Sequence, residues 1–307
     1  MASYTCRGCD MPPVPTKWKG PCPGCGGFWS IVPAREVEAE SQDTIAMLSQ
    51  VPDPERISSV PAFDKVIGGG MVVGKHDGSS IFVFGPKGTG KTTLLMDVLE
   101  RVAQSGQPVM YASGEMSTRD IGIFAKRMGI GSERLHVRGL DGDIYAICEA
   151  CEEKRVKVLV VDSLQTAQLT DVKGSEGSDE QVKEVANYLT AWAKHEKVCV
   201  IMVGHMLKDG TAAGPERVGH LCDTVLEFFP YDVDGDPLDV AWVEKWPKKR
   251  RSEEDEPELV LIPEAKDLRV LECVGKNRYG ETGVAEVFLM TPVGVRPYKR
   301  SKLSVVS

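Results

Sequence analysis

The chain has 307 residues, of which 42% are hydrophobic and 27% are charged, and its formal net charge is −8. This length accommodates one large domain with a small appendage, and the composition is that of an ordinary globular protein. Because no apolar run approaches the roughly 18–20 residues that cross a bilayer, and the N-terminus lacks the pattern of a signal peptide, we expect a cytoplasmic protein without a membrane partner.

Two cysteine pairs lie in the first 30 residues, as Cys6-x2-Cys9 and Cys22-x2-Cys25. Four thiolates at this spacing can close a tetrahedral site, which is typical of structural zinc. The segment is rich in Pro and Gly and cannot build a core alone, so a metal would supply its stability. Disulfide pairing is the alternative, and a reducing compartment disfavours it. We therefore predict a Zn²⁺ ribbon over residues 1–30.

Residues 31–55 are polar and acidic and contain two closely spaced prolines, which is typical of a linker. From residue 56 to residue 307 we predict one ATPase domain, in which short apolar runs alternate with helix-like stretches. The apolar runs are 81–84, 109–112, 158–161 and 198–203. Strands of this kind are buried on both faces, so the pattern predicts an α/β fold with a mainly parallel sheet. The segment 224–288 predicts antiparallel edge strands.

A glycine-rich stretch directly follows the first apolar run and precedes a predicted helix. It fits the pattern G-x-x-x-x-G-K-[ST], whose backbone N–H groups surround the phosphates of a nucleotide. Lys91 would reach the β- and γ-phosphates, and Thr92 would ligate Mg²⁺. We predict an ATP site formed by Gly85, Pro86, Lys87, Gly88, Thr89, Gly90, Lys91, Thr92 and Thr93.

Three further polar residues follow the later apolar runs, at the edge of the sheet where ligands bind. Asp162 ends the run 158–161 and is the predicted second holder of the magnesium ion. Glu115 is the predicted group that orients or deprotonates the attacking water, with a helix-capping role as the alternative. His205 is predicted to sense the γ-phosphate, and a structural histidine is the alternative.

Five other cysteines are scattered among apolar neighbours, and we expect buried thiols at these positions. They are Cys148, Cys151, Cys199, Cys222 and Cys273.

A basic block, Lys248-Lys249-Arg250-Arg251, is followed at once by an acidic block. Adjacent blocks of opposite charge favour a solvated loop or hairpin tip over a DNA contact.

The sequence resembles the bacterial RadA (Sms) family of RecA-like ATPases along nearly its whole length. The motifs that carry this likeness are Trp18-Lys19-Gly20, Cys22-Pro23-Gly24-Cys25, Phe63-Asp64-Lys65-Val66-Ile67-Gly68-Gly69-Gly70, Ser113-Gly114-Glu115, Gln181-Val182-Lys183-Glu184, Gly204-His205, Ala213-Gly214-Pro215 and Asp223-Thr224-Val225-Leu226. The most specific is Lys276-Asn277-Arg278-Tyr279-Gly280, which is nearly the family's Lys-Asn-Arg-Phe-Gly signature. The family also carries a C-terminal protease-like domain, and we expect a form that lacks it.

The resemblance implies a RecA-like core and a homo-hexameric ring that encircles single-stranded DNA. It also implies helicase activity on branched DNA in homologous recombination and repair, with a recombinase or single-strand-binding protein as a possible partner. Lys276 and Arg278 would couple ATP to DNA, on a neighbouring subunit's nucleotide or on the strand, with a solvated basic turn as the alternative. DNA contacts are expected in loops near 165–180 and 206–217, where the cations are Lys173, Lys208 and Arg217.

Other functions remain open at the level of sequence. The net charge of −8 favours an ATP-controlled assembly switch that does not move on DNA. The stretch Glu115-Met116-Ser117 is also similar to replicative hexameric helicases, including those of phages. A DNA-binding adaptor with an inactive phosphate loop is disfavoured because the hydrolytic residues are present.

Overall fold

A computed structural model of the chain describes residues 4–6, 9, 22–26, 31–33, 52–74, 77–205, 215–231, 242–245, 258–261 and 267–298. In the part of the chain so described, no helix has both the length and the apolar character that crossing a membrane requires.

Strands and helices alternate through the middle of the chain. The strands are β1 (Tyr4–Cys6), β2 (Ile31–Pro33), β3 (Arg56–Ile57), β4 (Met71–Val72), β5 (Ser79–Phe84), β6 (Val109–Ser113), β7 (Leu135–Gly139), β8 (Val158–Asp162), β9 (Cys199–Val203), β10 (Thr224–Pro230), β11 (Trp242–Lys245), β12 (Glu258–Leu261), β13 (Leu268–Asn277), β14 (Ala285–Thr291) and β15 (Gly294–Pro297). The helices are α1 (Pro61–Val66), α2 (Lys91–Gln104), α3 (Thr118–Met128), α4 (Ile144–Lys154), α5 (Asp179–Glu196) and α6 (Pro215–Leu221). A 3-10 turn, Leu164–Thr166, follows β8.

One sheet of nine strands, counted over the described residues, runs in the order β15-β14-β13-β10-β5-β9-β8-β6-β7. From β10 to β7 all neighbours pair in parallel. The last three strands, β13, β14 and β15, extend the sheet in antiparallel fashion beyond β10. The predicted fold, a mainly parallel α/β core with antiparallel strands added at one edge, is confirmed.

The core has two layers because successive strand residues point to opposite faces of the sheet. On one face strand side chains such as Val83 and Val109 pack against α2 and α3. On the other face the adjacent residue of β5, Phe82, and the helices α4 and α5 form the second layer. All five residues of β8 are buried, which explains why this strand reads as a continuous apolar run.

The scattered cysteines belong to this core, as predicted. Cys148 and Cys151 lie on the buried face of α4, and burial raises the pKa of both thiols. A thiol that stays protonated is a poor nucleophile and a poor metal ligand. These two residues therefore contribute packing.

The N-terminal strand pair extends slightly past the predicted end of the ribbon. Tyr4 pairs with Pro33 and Cys6 with Ile31, so the ladder reaches three residues into the predicted linker. Strand pairing had no clear signal here because each strand has only three residues. The strands β11 and β12 also pair with each other. The predicted charged loop at 248–256 falls between them in sequence, outside the described residues.

Candidate nucleotide-binding site

The predicted phosphate loop joins the end of β5 to the start of α2. Gly85 takes a positive φ of 150°, and a Cβ atom there would come within 2.0 Å of the carbonyl oxygen of Phe228. Gly90, the residue before α2, also has a positive φ, of 94°. Glycine is therefore needed at both ends of the loop, where it brings backbone N–H groups and the helix N-terminus to one point.

Lys91 is buried at the first position of α2, and its ammonium group is held by the loop itself. The Nζ atom donates to the carbonyl oxygens of Gly85 and Pro86, each at 2.9 Å. Burial lowers the pKa of Lys91 to about 8, although the nearby carboxylates of Asp162 and Glu115 oppose that shift. The cation thus lies within the loop that would surround a phosphate.

Asp162, at the carboxyl end of β8, faces the start of α2. Its Oδ2 atom accepts a hydrogen bond from Thr92 Oγ1 at 2.7 Å and another from Tyr111 Oη at 2.7 Å. A threonine hydroxyl that donates to an aspartate keeps its oxygen lone pairs for a metal ion. Oxygen donors of this kind suit Mg²⁺, so Thr92 and Asp162 fit the ion that the sequence predicts.

Glu115 follows β6 and stands across the pocket from the phosphate loop. Its Oε1 atom contacts Ser163 Oγ at 3.2 Å and His205 Nε2 at 3.4 Å. The Glu115 side chain is 51% exposed. The other nitrogen of His205, Nδ1, is buried and has no partner among the described residues. This arrangement can hold a carboxylate ready for a water molecule, with an imidazole beside it.

A cavity of about 290 Å³ lies between these groups. Its walls are the phosphate loop and side chains from the ends of β6, β8 and β9. The strand order places β9 and β8 between β5 and β6, so adjacent strands bring the predicted residues together. The structure thus collects Lys91, Thr92, Glu115, Asp162 and His205 in one pocket.

Lys276 and Arg278 lie at the opposite edge of the sheet. Arg278 Nη1 contacts Asp223 Oδ1 at 2.9 Å, and Lys276 Nζ donates to the carbonyl oxygen of His220 at 2.8 Å. Asp223 is fully buried and also accepts from the backbone N–H of Ser80, near the start of β5. At about 3.3 Å per residue, the five residues from Ser80 to Gly85 span about 16 Å. Within one chain, the two cations therefore do not reach the phosphate loop.

The first predicted DNA loop, near 165–180, leaves the same edge of the sheet as the phosphate loop. The side chain of Gln181 holds the first part of this loop in place. It accepts a hydrogen bond from the backbone N–H of Leu169 and donates to the carbonyl oxygens of Leu169 and Val172. Lys173 is exposed in the loop. In the second loop, Lys208 and the rest of 206–214 lie outside the described residues, as does the side chain of Arg217.

The four N-terminal cysteines converge on one point. Their sulfur atoms all lie within 4.8 Å of one another, with Cys6 and Cys25 at 3.6 Å and Cys9 and Cys22 at 3.7 Å. A tetrahedron of sulfurs around zinc, at a bond length of about 2.3 Å, has edges of about 3.8 Å. These separations are too long for disulfides, and they fit a zinc ion.

The sequence did not predict two residues that hydrogen-bond to the acidic side chains of the site, Tyr111 and Ser163. Tyr111 reads as one more strand residue, and only the presence of a hydroxyl group in an otherwise apolar run could have indicated a polar partner. Ser163 directly follows Asp162 and carries no motif of its own. Its bond to Glu115 joins residues 48 positions apart, which no local pattern reveals.

Sequence comparison places the chain among known ATPases. The profile of the AAA domain family matches residues 43–211, just over half of the chain. A protein named DNA repair protein RadA from Haemophilus influenzae is 33% identical over 240 residues, covering 73% of this chain and 51% of that protein. Its namesake from Aquifex aeolicus is 32% identical over 303 residues, covering 95% of this chain and 59% of that protein. The chain thus spans about half the length of these relatives.

Comparison with solved structures supports the same core. A KaiC-like protein from Pyrococcus horikoshii has a TM-score of 0.57 and 18% identity, and the match covers 80% of this chain and all of that one. The flagellar accessory protein FlaH from Methanocaldococcus jannaschii has a TM-score of 0.55 and 16% identity over the same shares. At these identities the structures show a shared fold. Fold, phosphate loop and sequence relatives agree, and the chain belongs to the AAA domain family and, within it, to the RadA proteins.

Proposed function

We propose that the chain hydrolyses ATP and uses the energy to move along single-stranded DNA, remodelling branched DNA in recombination and repair in the cytoplasm. The observation that carries this proposal is the pocket at the carboxyl edge of the sheet. There the hydrogen-bonded pair of Thr92 and Asp162 lines the same cavity as Glu115. The relatives named for DNA repair support the choice of DNA as the partner.

Different residues of the chain bind the phosphates, activate the water and hold the magnesium ion in this proposal. The loop N–H groups and Lys91 bind the β- and γ-phosphates and offset the charge that develops on them. Glu115 orients the attacking water and accepts its proton, while Ser163 and His205 hold that carboxylate in place. Magnesium, bound by Thr92 with Asp162 behind it, would supply charge neutralisation between the phosphates.

Lys276 and Arg278 act, in this proposal, on the nucleotide of a neighbouring subunit. They project from the edge of the sheet opposite their own phosphate loop, which is the placement that a trans-acting cation needs. The Arg278 side chain is 54% exposed even while it contacts Asp223. A cation delivered by a second copy makes hydrolysis depend on assembly. We propose a homo-hexameric ring as that assembly.

DNA would pass the loops near 165–180 and 206–217, through Lys173, Lys208 and Arg217. Backbone phosphates and not bases would make the contacts, so binding should weaken steeply with added salt.

The division into a zinc ribbon (1–30), a linker (31–55) and an ATPase domain (56–307) is part of the same proposal. A recombinase or single-strand-binding protein is the proposed recruiting partner.

The test is the steady-state rate of ATP hydrolysis with and without single-stranded DNA. We expect a stimulation of several-fold, because a motor couples each cycle to its track. Glu115→Gln should still bind ATP but lose about 10²- to 10⁴-fold in turnover, the usual contribution of a general base. The matched control is Glu153→Gln, an exposed carboxylate on α4.

A rate that DNA leaves unchanged would contradict the motor and favour an ATP-controlled assembly switch, to which the net charge of −8 also points. If Glu115→Gln turned over like the wild type, the assignment of the base would be wrong while the motor could stand.

A further inference from the structure

Tyr111 places a hydroxyl group in the middle of the buried strand β6, whose other polar residue, Ser113, is the last of the strand. Its side chain is 1% exposed, and its neighbours in the same core layer, Val109 and Val160, are hydrocarbons. A phenylalanine would fill this position equally well. A buried hydroxyl without a partner is costly, so the structure must give it one.

That partner is the carboxylate at the predicted magnesium site. Tyr111 Oη and Thr92 Oγ1 both donate to Oδ2 of Asp162. In the described part of the chain no donor contacts the other oxygen, Oδ1. Two donors on one oxygen restrain the carboxylate of Asp162, a residue that lines the nucleotide cavity.

The phenol hydroxyl donates to Asp162 Oδ2 over a short distance, 2.7 Å, and its side chain is buried. Partners that orient a metal-holding group are usually hydrogen-bonded in this way, and their loss typically lowers metal affinity about 10- to 100-fold.

We infer that Tyr111 is a positioning residue for the magnesium ion of the nucleotide: its hydrogen bond fixes the Asp162 carboxylate that would hold the ion. This inference rests on the proposed function, because it needs a nucleotide and magnesium in the pocket.

The experiment measures the binding of a fluorescent ADP analogue to the full chain while Mg²⁺ is titrated. For Tyr111→Phe we expect the half-saturating Mg²⁺ concentration to rise about tenfold, with nucleotide affinity in the absence of Mg²⁺ unchanged. Tyr145→Phe is the matched control. Its hydroxyl also donates to an aspartate, Asp171, at 2.6 Å, and that pair does not line the nucleotide cavity. This variant should titrate like the wild type.

Three results would overturn the inference. One is a Tyr111→Phe titration that superimposes on that of the wild type. Another is an equal loss of affinity with and without Mg²⁺, since that would mean general damage to the pocket. The third is a Tyr145→Phe titration that shifts as much as that of Tyr111→Phe, since the effect would then not be specific to the bond with Asp162. A wild type that fails to bind the ADP analogue would instead contradict the proposed function.

Discussion

Lys91 is buried in the protein even without a bound nucleotide. It is 5% exposed, and two carbonyl oxygens of its own loop accept from its ammonium group. Desolvation favours the neutral amine, so in the free protein Lys91 loses its charge at a lower pH than an exposed lysine does. An incoming phosphate would restore the preference for the charged form.

This balance predicts a pH dependence of nucleotide binding. The pKa of Lys91 is about 8 in the free protein, and the negative charge of a bound nucleotide would raise it. Binding is therefore at full strength below the free-protein value. Above it, binding needs uptake of a proton, and affinity should fall by up to about tenfold per pH unit. Measuring the dissociation constant of ADP from about pH 7 to about pH 10 checks this, a range that brackets the value.

Lys91→Arg is the control for that experiment. A guanidinium group stays charged throughout this range, so the variant should bind more weakly but with a flat profile. Should the wild type itself give a flat profile, Lys91 would be shown to stay protonated in the free protein, and desolvation would not be what sets its charge.

The secondary elements follow closely from the sequence where each element has its own signal. The runs ending at Phe84, Ala112, Val161 and Val203 are strands because they are apolar, short and separated by helical stretches. Each polar site residue follows such a run, so the shared pocket could be predicted from the rule that parallel strands end at one edge.

Contacts between distant elements could not be predicted in this way. The carboxylate of Asp223 joins β5, α5 and the Arg278 turn through Ser80, Lys194 and Arg278. Only the strand order, with β10 beside β5, brings these groups together. The same strand order places Arg278 far from the phosphate loop of its own chain. The spacing of residues along the sequence could not predict this separation.

The N-terminal element gives a prediction of its own. The purified chain should hold about one zinc ion, since four thiolates leave no open position. Cys22→Ser should abolish stoichiometric zinc, as measured by metal analysis, because three thiolates bind far less tightly. Cys148→Ser is the control: that thiol is buried in α4, and the variant should keep its zinc. Equal zinc content in both variants would argue against the ribbon.

At the scale of the whole molecule, the two regions that we propose act on the nucleotide occupy opposite edges of one sheet. The nucleotide pocket is at the carboxyl edge, and Lys276 and Arg278 are at the amino edge. A single copy therefore contains all the proposed parts but cannot bring them to one nucleotide. Copies arranged head to tail can do so, because the amino edge of one would face the carboxyl edge of the next.

The most direct test is a structure of the protein with a non-hydrolysable ATP analogue, magnesium and single-stranded DNA. We predict the triphosphate on the loop from Gly85 to Thr92, with Arg278 of an adjacent copy at the γ-phosphate and the strand in a central channel. A triphosphate bound away from Lys91 and Thr92, or no bound nucleotide at saturating concentration, would contradict the proposed ATP-driven motor.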